Sequence, residues 1–421
     1  MNPSITFWLT VTIFSLTYLG LALGKAPWLR IDRTGIALVG ATLMMVCGVL
    51  PLPEAVRSVD YETIILLFGM MVVVAFLHLS GFFDRLAHSA LGHFRTPYGL
   101  LAVTITLSGV LSAFLVNDIV CLALAPVVIQ WARRRQISPL PHLIGLATAA
   151  NIGSTATLTG NPQNMIIGSL SHIAYWRFAV CLAPLAVVGL VIDFLVIVVV
   201  YRRKLGVAQA VLDQSLQEPA ERQENSHPQA GPWLLRKSVA VTLVTVILFF
   251  IGMPIALVAL GAAAVLFLGR VRPEKVYSQI DWSLLVMFCG LFVVVHAFET
   301  KVVHQWHIER WSLLLDHPLS VLSLVSAVLS NLVSNVPAVL LFKPIIPVMP
   351  ASAQASAWLA LAMSSTLAGN LTVLGSVANL IVVENARREG VTISFWEYCR
   401  AGIPITILTL ALGVVWLYLI G

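Results

Sequence analysis

Residues Asn151 to Gly168 read NIGSTATLTGNPQNMIIG, a polar run inside a long apolar segment. In the hydrocarbon core of a bilayer each unpaired backbone polar group costs on the order of several kcal/mol. A run of Gly, Asn and Thr with a proline is therefore tolerated at that depth only where the backbone lines a protein cavity. The pattern predicts a broken helix over 142–171, in which one half ends near Gly153 and the other starts near Pro162.

The same pattern returns in the second half of the chain. Residues Leu367 to Val383 read LAGNLTVLGSVANLIVV and predict a second broken helix over 355–386. The two runs match Thr157 with Thr372, Gly160 with Gly375, and Asn164 with Asn379. Interrupted apolar segments at corresponding places in two halves are the best sequence indication of a transporter's binding site.

Composition identifies the class of protein. The 421 residues are 59% hydrophobic and only 10% charged, with a mean hydropathy of +0.92, whereas soluble domains average roughly 25% charged residues. We therefore predict an all-α polytopic membrane protein whose basic residues serve membrane topology, with no nucleic acid as a partner. No metal-ligand spacing, phosphate-binding loop or nucleophile elbow occurs. We expect no enzymatic activity and no cofactor, apart from Na⁺ as a candidate coupling ion.

Two further apolar segments, 98–132 and 319–347, carry a polar interruption in the middle. The interruptions are Asn117-Asp118 and Ser334-Asn335. We predict two re-entrant hairpins that enter and leave the bilayer by the same face, with the asparagine at the tip. The remaining predicted spans are 5–24, 34–52, 61–81, 177–201, 238–253, 254–270, 281–299 and 402–420.

The two halves are predicted to be inverted-topology repeats. Residues 61–76 resemble 281–298, which pairs Gly69 with Gly290, and the hairpins pair Asn117 with Asn335. Each half then has five spans, one hairpin and one broken helix, and an odd number of spans inverts the second half. The predicted units are a first membrane repeat at 1–202, a flexible linker at 203–237 and a second membrane repeat at 238–421.

Basic residues set the predicted orientation. The chain has 25 Lys and Arg, and with re-entrant hairpins and an external N-terminus only five of them face outward, namely Arg57, Arg177, Lys301, Arg310 and Lys343. The excess on the other side satisfies the positive-inside rule. We predict a multi-pass protein of a bacterial inner membrane, with both termini outside and the central loop 203–237 in the cytoplasm.

Broken helices and hairpin tips expose backbone groups that can bind ions, because helix N-termini attract anions and unwound carbonyls attract cations. The predicted substrate- and ion-binding residues are Asn117, Asp118, Gly153, Thr155, Thr157, Gly160, Asn161, Asn164, Asn335, Gly369, Asn370, Thr372, Gly375, Ser376 and Asn379. Hard oxygen ligands suit Na⁺, for which Asn117, Asp118 and Asn335 are the candidates. The structural alternative is that these small residues only allow close helix packing.

Asp118 is the only carboxylate predicted at a hairpin tip, and its counterpart in the second half is Val336. Acidic residues inside membranes are rare and usually functional. Asp118 is therefore predicted to carry a proton or to bind a cation. The structural alternative is an N-terminal cap on the second arm of the hairpin.

Four segments carry a family resemblance: NDIVCLALAP (117–126), GSTATLTGNPQN (153–164), SNLVSNVPAV (330–339) and GNLTVLGSVANLIV (369–382). They resemble the ion transporter superfamily, which includes arsenite permeases, sodium–proton antiporters, divalent anion–sodium symporters and citrate transporter-like proteins. The resemblance implies two inverted repeats and a gradient-driven permease, with bacterial anion permeases as the nearest branch. The dicarboxylate branch carries Ser-Asn-Thr at both tips, whereas the first tip here is Val-Asn-Asp, which favours the arsenite permease branch.

The predicted function is secondary active transport of a small inorganic or organic anion or oxyanion by alternating access, coupled to H⁺ or Na⁺. The alternative is a sodium–proton antiporter with the same fold, in which Asp118 exchanges cations. A channel would not need two matched broken helices, and an intramembrane enzyme would need a nucleophile–base pair. Arsenite, phosphate, sulfate and dicarboxylates all stay open as substrates, as do uptake or efflux and assembly as a homodimer.

Overall fold

The computed structural model describes residues 3–23, 31–92, 94, 96–206, 231–269, 271–303 and 317–420. In these ranges the chain forms helices joined by turns, and no strand occurs. The first-half helices are α1 Pro3–Leu23, α2 Arg33–Val46, α3 Leu52–Ser58, α4 Tyr61–Leu79, α5 Phe82–Gly92, α6 Pro97–Phe114, α7 Asn117–Arg134, α8 Leu140–Ser154, α9 Pro162–Ser171 and α10 Tyr175–Val200. The second-half helices are α11 Pro232–Ile251, α12 Ile255–Phe267, α13 Pro273–Tyr277, α14 Trp282–Lys301, α15 Pro318–Val333, α16 Asn335–Phe342, α17 Ala351–Ala368, α18 Val377–Arg388 and α19 Phe395–Ile420.

Within the described ranges, seven helices are long and apolar enough to cross a membrane: α1, α4, α6, α10, α11, α14 and α19. The prediction of an all-helical polytopic membrane protein is confirmed. Helices α2 and α12 have 14 and 13 residues and are shorter than the spans predicted at 34–52 and 254–270. Helix α2 ends early because Gly48 adopts a φ of 72° and Pro51 follows, a combination that stops helices.

Two glycines allow close helix crossings. A Cβ atom on Gly69 of α4 would lie 2.7 Å from the carbonyl carbon of Ala259 in α12. A Cβ atom on Gly290 of α14 would lie 2.9 Å from the carbonyl carbon of Ala37 in α2. The two glycines paired by sequence therefore make equivalent contacts, each between a helix of one half and a helix of the other. The inversion of one half relative to the membrane stays a prediction.

Both predicted helix breaks are present. Helix α8 ends at Ser154 and α9 begins at Pro162. Helix α17 ends at Ala368 and α18 begins at Val377, with a 3₁₀ turn between them. Proline at the first helical position lacks only an N–H that has no partner there, which explains the start of α9.

Each predicted hairpin is a pair of helices in mutual contact, α6 with α7 and α15 with α16. The first pair is joined at Leu115 and Val116, and the second at Ser334, whose φ is 79°. The placement of the asparagines at the tips needs a correction, because Asn117 and Asn335 are the first residues of the second arms. The helix resumes directly after a one- or two-residue break, so the polar side chains lie on a helical turn.

The predicted linker at 203–237 lies mostly outside the described residues, which end at 206 and resume at 231. Its last part, from Pro232 onward, belongs to α11.

Candidate functional site

A cavity of about 170 Å³ lies where the second arms of both hairpins meet the second halves of both broken helices. The first residues of α7, α9, α16 and α18 line it, namely Asn117, Asp118, Pro162, Gln163, Asn335, Val336, Pro337 and Val377, with Ser376 just before α18. The starts of α2 and α14 contribute Arg33, Thr34, Asp281, Ser283, Leu284 and Met287, and Ser334 completes the lining. Six helix N-termini therefore meet at one cavity.

Backbone donors are available at this cavity. Helices α7 and α16 begin without a side-chain cap. Among the hydrogen bonds of the described residues, none is donated by the backbone amides of Asp118, Asn335 or Val336. Unpaired N–H groups at a helix start carry partial positive charge and bind anions.

The charged side chains of the cavity are distributed unevenly. Asp281 caps α14 by accepting a hydrogen bond from the backbone N of Leu284 at 2.9 Å. Asp118 interacts with Asp281 and with the backbone amide of Ala378, in the first turn of α18. Both carboxylates thus lie against helix N-termini that they partly neutralise.

The remaining lining residues add one basic side chain, Arg33, to these two carboxylates. Helices α9 and α16 have no acidic residue in the first turn. Arg33 forms none of the ion pairs found among the described residues. The cavity therefore offers the Arg33 guanidinium and the N-termini of α9 and α16, whose first turns contain no acidic residue.

Behind the cavity, Asn151 forms the centre of a buried amide network. Its Oδ1 accepts hydrogen bonds from Asn117 Nδ2 at 3.1 Å and Ser376 Oγ at 3.0 Å. Its Nδ2 donates to Asn370 Oδ1 at 2.8 Å and Asn379 Oδ1 at 3.0 Å. One side chain from α8 therefore joins the first hairpin to the second broken helix.

A second set of hydrogen bonds runs from the first broken helix to residues of the second half of the chain. Asn161 Nδ2 and Gln163 Nε2 both donate to Thr366 Oγ1, each at 3.2 Å. With its amide oriented to satisfy its neighbours, Asn335 donates to Gly375 O at 3.1 Å and accepts from Gln163 Nε2 at 3.3 Å. The first broken helix is thereby joined to the second hairpin and the second broken helix.

The two breaks are braced in the same way. Asn164 Nδ2 donates to the carbonyl oxygens of Ser154 and Thr157, both at 3.0 Å. Asn379 Nδ2 donates to those of Gly369 at 2.7 Å and Thr372 at 3.0 Å. The donors lie ten and seven residues after their acceptors in both cases, so the matched asparagines satisfy equivalent carbonyl groups left unpaired by each break.

Of the predicted site residues, Asn117, Asp118, Asn335 and Ser376 line the cavity. The others lie outside its lining, and these are Gly153, Thr155, Thr157, Gly160, Asn161, Asn164, Gly369, Asn370, Thr372, Gly375 and Asn379. Thr157 donates to the carbonyl oxygen of Ala113 in α6. A Cβ atom on Gly160 would lie 2.3 Å from Ser154 O. Thr157 and Gly160 therefore pack the first break tightly.

The residues of the site or its network that were absent from the sequence prediction include Arg33, Gln163, Asp281 and Asn151. Asn151 and Gln163 lie within the polar run that identified the first break, so the surrounding sequence could have indicated that they belong to the site. Asp281 also had one, because it corresponds to Asp60, which caps α4 in the same way through Thr63 N at 2.9 Å. Arg33 gave none, because a basic residue at a helix start beside the membrane is ordinary.

The candidate Na⁺ ligands fit that ion chemically. Asn117 Oδ1 is buried and accepts no hydrogen bond within the described structure, and the Asp118 carboxylate lines the same cavity. Neutral and anionic oxygens are the ligands that hard cations prefer. No cluster of three His, Cys, Asp or Glu side chains that could hold a metal ion occurs among the described residues.

The fold and cavity define a polytopic helical membrane protein, and similarity to known proteins identifies its family. The profile of the citrate transporter family matches residues 18–368. The chain belongs to this family of transporters.

Relatives match over nearly their whole length. The chain is 30% identical to the 46 kDa membrane protein of Mycobacterium leprae, over 98% of both chains. It is 30% identical to the silicon efflux transporter LSI3 of Oryza sativa subsp. japonica, over 93% of each. It is 26% identical to the putative transporter arsB of Dictyostelium discoideum, over 100% of this chain and 94% of the other.

A solved structure with a similar fold covers nearly the same length. It is the YdaH transporter of Alcanivorax borkumensis, described as having an unusual topology, with a TM-score of 0.55 and 16% identity. The match covers 100% of this chain and 97% of that one.

Proposed function

We propose that this protein is a secondary active transporter that moves a small anion or oxyanion by alternating access, driven by an H⁺ or Na⁺ gradient. The observation that carries the proposal is the meeting of helix N-termini at one cavity between the two halves. At α7 and α16 these termini offer backbone amides without acceptors, and oriented N–H groups bind anions without help from a formal charge.

The cavity also suits a small ligand in size and in polar character. Its volume of about 170 Å³ is more than about ten times the roughly 10–15 Å³ that one water molecule needs on a comparable measure. Arg33 supplies the formal positive charge, while Asn117, Asn335 and Ser376 supply amide and hydroxyl groups. An oxyanion can accept hydrogen bonds from the Arg33 guanidinium and from the second N–H of Asn117 Nδ2, because the Ser376 hydroxyl already donates to Asn151.

For coupling, we propose that Na⁺ or H⁺ binds beside the substrate, with Asn117, Asp118 and Asn335 as the ligands for Na⁺. For orientation, we propose a bacterial inner membrane with both termini outside and the loop 203–237 in the cytoplasm. The charge distribution of the sequence supports this orientation.

Purified protein in proteoliposomes tests the proposal. The candidate substrates are arsenite, phosphate, sulfate and dicarboxylates, to which the family name adds citrate and the name of the rice relative adds silicon compounds. We expect saturable uptake of at least one of them under an imposed Na⁺ or pH gradient, and none in vesicles with Arg33→Gln protein. Uptake that does not saturate, or that persists unchanged in Arg33→Gln, would rule out the anion site.

The second candidate is a sodium–proton antiporter, favoured by the two carboxylates Asp118 and Asp281 that line the cavity. In that case Na⁺ efflux would drive proton uptake in vesicles without any candidate anion. The same vesicles, loaded with a pH-sensitive dye, separate the two functions. Proton movement that requires an anion supports the first, and proton movement with Na⁺ alone supports the second.

A further inference from the structure

Asp193 lies in the C-terminal half of α10, outside the cavity lining, and is completely buried at 0% exposure. Its Oδ1 accepts a hydrogen bond from Thr148 Oγ1 at 2.7 Å. Its Oδ2 is buried without a hydrogen-bond partner in the described structure, and Asp193 takes part in none of the ion pairs found there. A buried carboxylate without a counter-ion is far less costly when it carries a proton.

The elements packed against α10 bring no basic group to Asp193. In α8, His142 is hydrogen-bonded to the carbonyl oxygens of Ser138 and Pro97. In α11, Lys237 donates to the carbonyl oxygens of Leu266 and Leu268. Arg236, also in α11, is exposed. Tyr398 of α19 interacts electrostatically with Asp193, and Cys121, Cys399 and Tyr201 are the other titratable groups near Tyr398. The charged residues of α19, Glu397 and Arg400, pair with each other at 4.0 Å, and the Arg400 side chain is exposed. Helix α17 carries no titratable residue, and the only one in α6 is Tyr98, at its N-terminal end.

The Thr148 hydroxyl permits two hydrogen-bond arrangements. Its oxygen lies 2.7 Å from Asp193 Oδ1 and 2.8 Å from Ile144 O, but a hydroxyl has one hydrogen to donate. When Asp193 is ionised, Thr148 donates to the carboxylate. When Asp193 is protonated, the acid can donate to Thr148 Oγ1, which then donates to Ile144 O. The geometry accommodates both protonation states without moving the helices.

Thr148 also connects Asp193 to the cavity. Its carbonyl oxygen accepts from Asn370 Nδ2 at 3.1 Å, and Asn370 Oδ1 accepts from Asn151 Nδ2 at 2.8 Å. Asn151 in turn accepts from the cavity residues Asn117 and Ser376. Buried polar networks of this kind respond as a unit to a change in one member.

We infer that Asp193 is a proton-binding site separate from the substrate cavity, linked to it through Thr148, Asn370 and Asn151, and that this proton is released and taken up during transport. The inference rests on the proposed anion transport and makes H⁺ a coupling ion. The proton then binds at Asp193, outside the cavity lining, whereas Asp118 and its neighbours bind the substrate and Na⁺.

The first experiment measures protons and anion together in proteoliposomes, using whichever anion of the panel the wild-type protein transports. We expect wild type to move protons with the anion. Asp193→Asn should retain exchange of labelled for unlabelled anion but lose the accompanying proton flux. An unchanged proton-to-anion ratio in Asp193→Asn would overturn the inference.

A second pair of variants guards against misfolding of Asp193→Asn. Thr148→Val removes the link to Asp193, while Thr409→Val removes an equally buried hydroxyl that bonds only carbonyl groups of its own helix, at 2.7 Å to Ile405 O and 3.3 Å to Thr406 O. The pH dependence of transport should shift in Thr148→Val and stay as in wild type in Thr409→Val. Equal behaviour of these two variants would contradict the link.

Infrared titration separates this inference from the proposed function, because it needs no substrate. Ligand-free wild-type protein should show a protonated-carboxyl band that changes with pH and is absent from Asp193→Asn. The band decides the protonation of Asp193 even if no anion of the panel is transported. A pH-difference spectrum of Asp193→Asn identical to that of wild type would show that Asp193 does not titrate.

Discussion

Asn151 donates a hydrogen bond from Nδ2 to Oδ1 of Asn379, 3.0 Å away, and so joins the two broken helices directly. The two residues lie in different halves of the chain, and neither lines the cavity. The shape of the cavity therefore depends on contacts made behind it.

Replacing Asn151 by Leu should destabilise the protein strongly. The change removes the partner of Asn117, Ser376, Asn370 and Asn379 together, and each buried group left unpaired costs about 1–3 kcal/mol. We expect a loss of about 3 kcal/mol or more, measured by thermal unfolding in detergent. Asn385→Ala is the control, because Asn385 Nδ2 is buried and has no hydrogen-bond partner among the described residues. Equal unfolding temperatures for the two variants would contradict the central role of Asn151.

The glycine crossings predict opposite effects for chemically identical substitutions. Gly69→Ala and Gly290→Ala place a methyl group within 3 Å of facing backbone atoms, and overpacking of this kind typically costs about 1–3 kcal/mol. Gly261→Ala in α12 meets no atom within 4 Å and gains about 1 kcal/mol of helix propensity. Unfolding temperatures should fall for the first two and hold or rise for the third. A fall of the same size in all three would show that the crossings are not tight.

Charge removal in the cavity should change anion affinity in a predictable direction. Asp118→Asn removes a negative charge from the cavity lining, and at a separation of several ångströms one unit charge contributes on the order of 1–4 kcal/mol. We expect the variant to bind its anion about tenfold more tightly or better, because about 1.4 kcal/mol corresponds to that factor. Thermal-shift titration with and without Na⁺ measures it.

The same titration tests whether Asp118 is a Na⁺ ligand. If Asp118 is a Na⁺ ligand, the gain in anion affinity should come with a loss of the Na⁺ effect on affinity. If both the anion affinity and the Na⁺ effect are unchanged, Asp118 binds neither ion. Its role is then structural, through its contact with the start of α18.

The orientation of the chain can be tested at the predicted linker. A cysteine introduced as Gln223→Cys, in a variant without the five native cysteines, should resist a membrane-impermeant reagent in intact cells and react after the cells are opened. Arg57→Cys, on the predicted outer side, should react in intact cells. The opposite pattern would invert the topology.

The sequence predicted the broken helices well because their signal is local. Glycine, asparagine and proline inside an apolar run weaken a helix wherever they occur, so the ends at Ser154 and Pro162 fell within one residue of the prediction. The lining of the cavity was harder to predict. Thr157 and Ser376 look alike in sequence, yet packing of the first break against α6 turns Thr157 to Ala113 while Ser376 lines the cavity.

Charged residues at helix starts explain the remaining misses. Arg33 and Asp281 lie at helix starts, where any membrane protein carries charge beside the bilayer. Arg33 has no distinguishing signal in the sequence, and Asp281 has only its correspondence to Asp60. Only the approach of α2 and α14 to the hairpins, more than 200 residues apart in the chain, brings them to one cavity. Long-range packing of this kind leaves no periodic pattern in the sequence.

The crossing of α4 with α12 and of α14 with α2 has a consequence for biosynthesis. The ribosome completes the first half before α12 exists, so the close-packing surface around Gly69 waits uncovered until Ala259 and its neighbours are inserted. Each half therefore needs helices of the other half to cover its packing surface. Two fragments divided within residues 207–230 should assemble when made together, whereas either fragment made alone should be degraded.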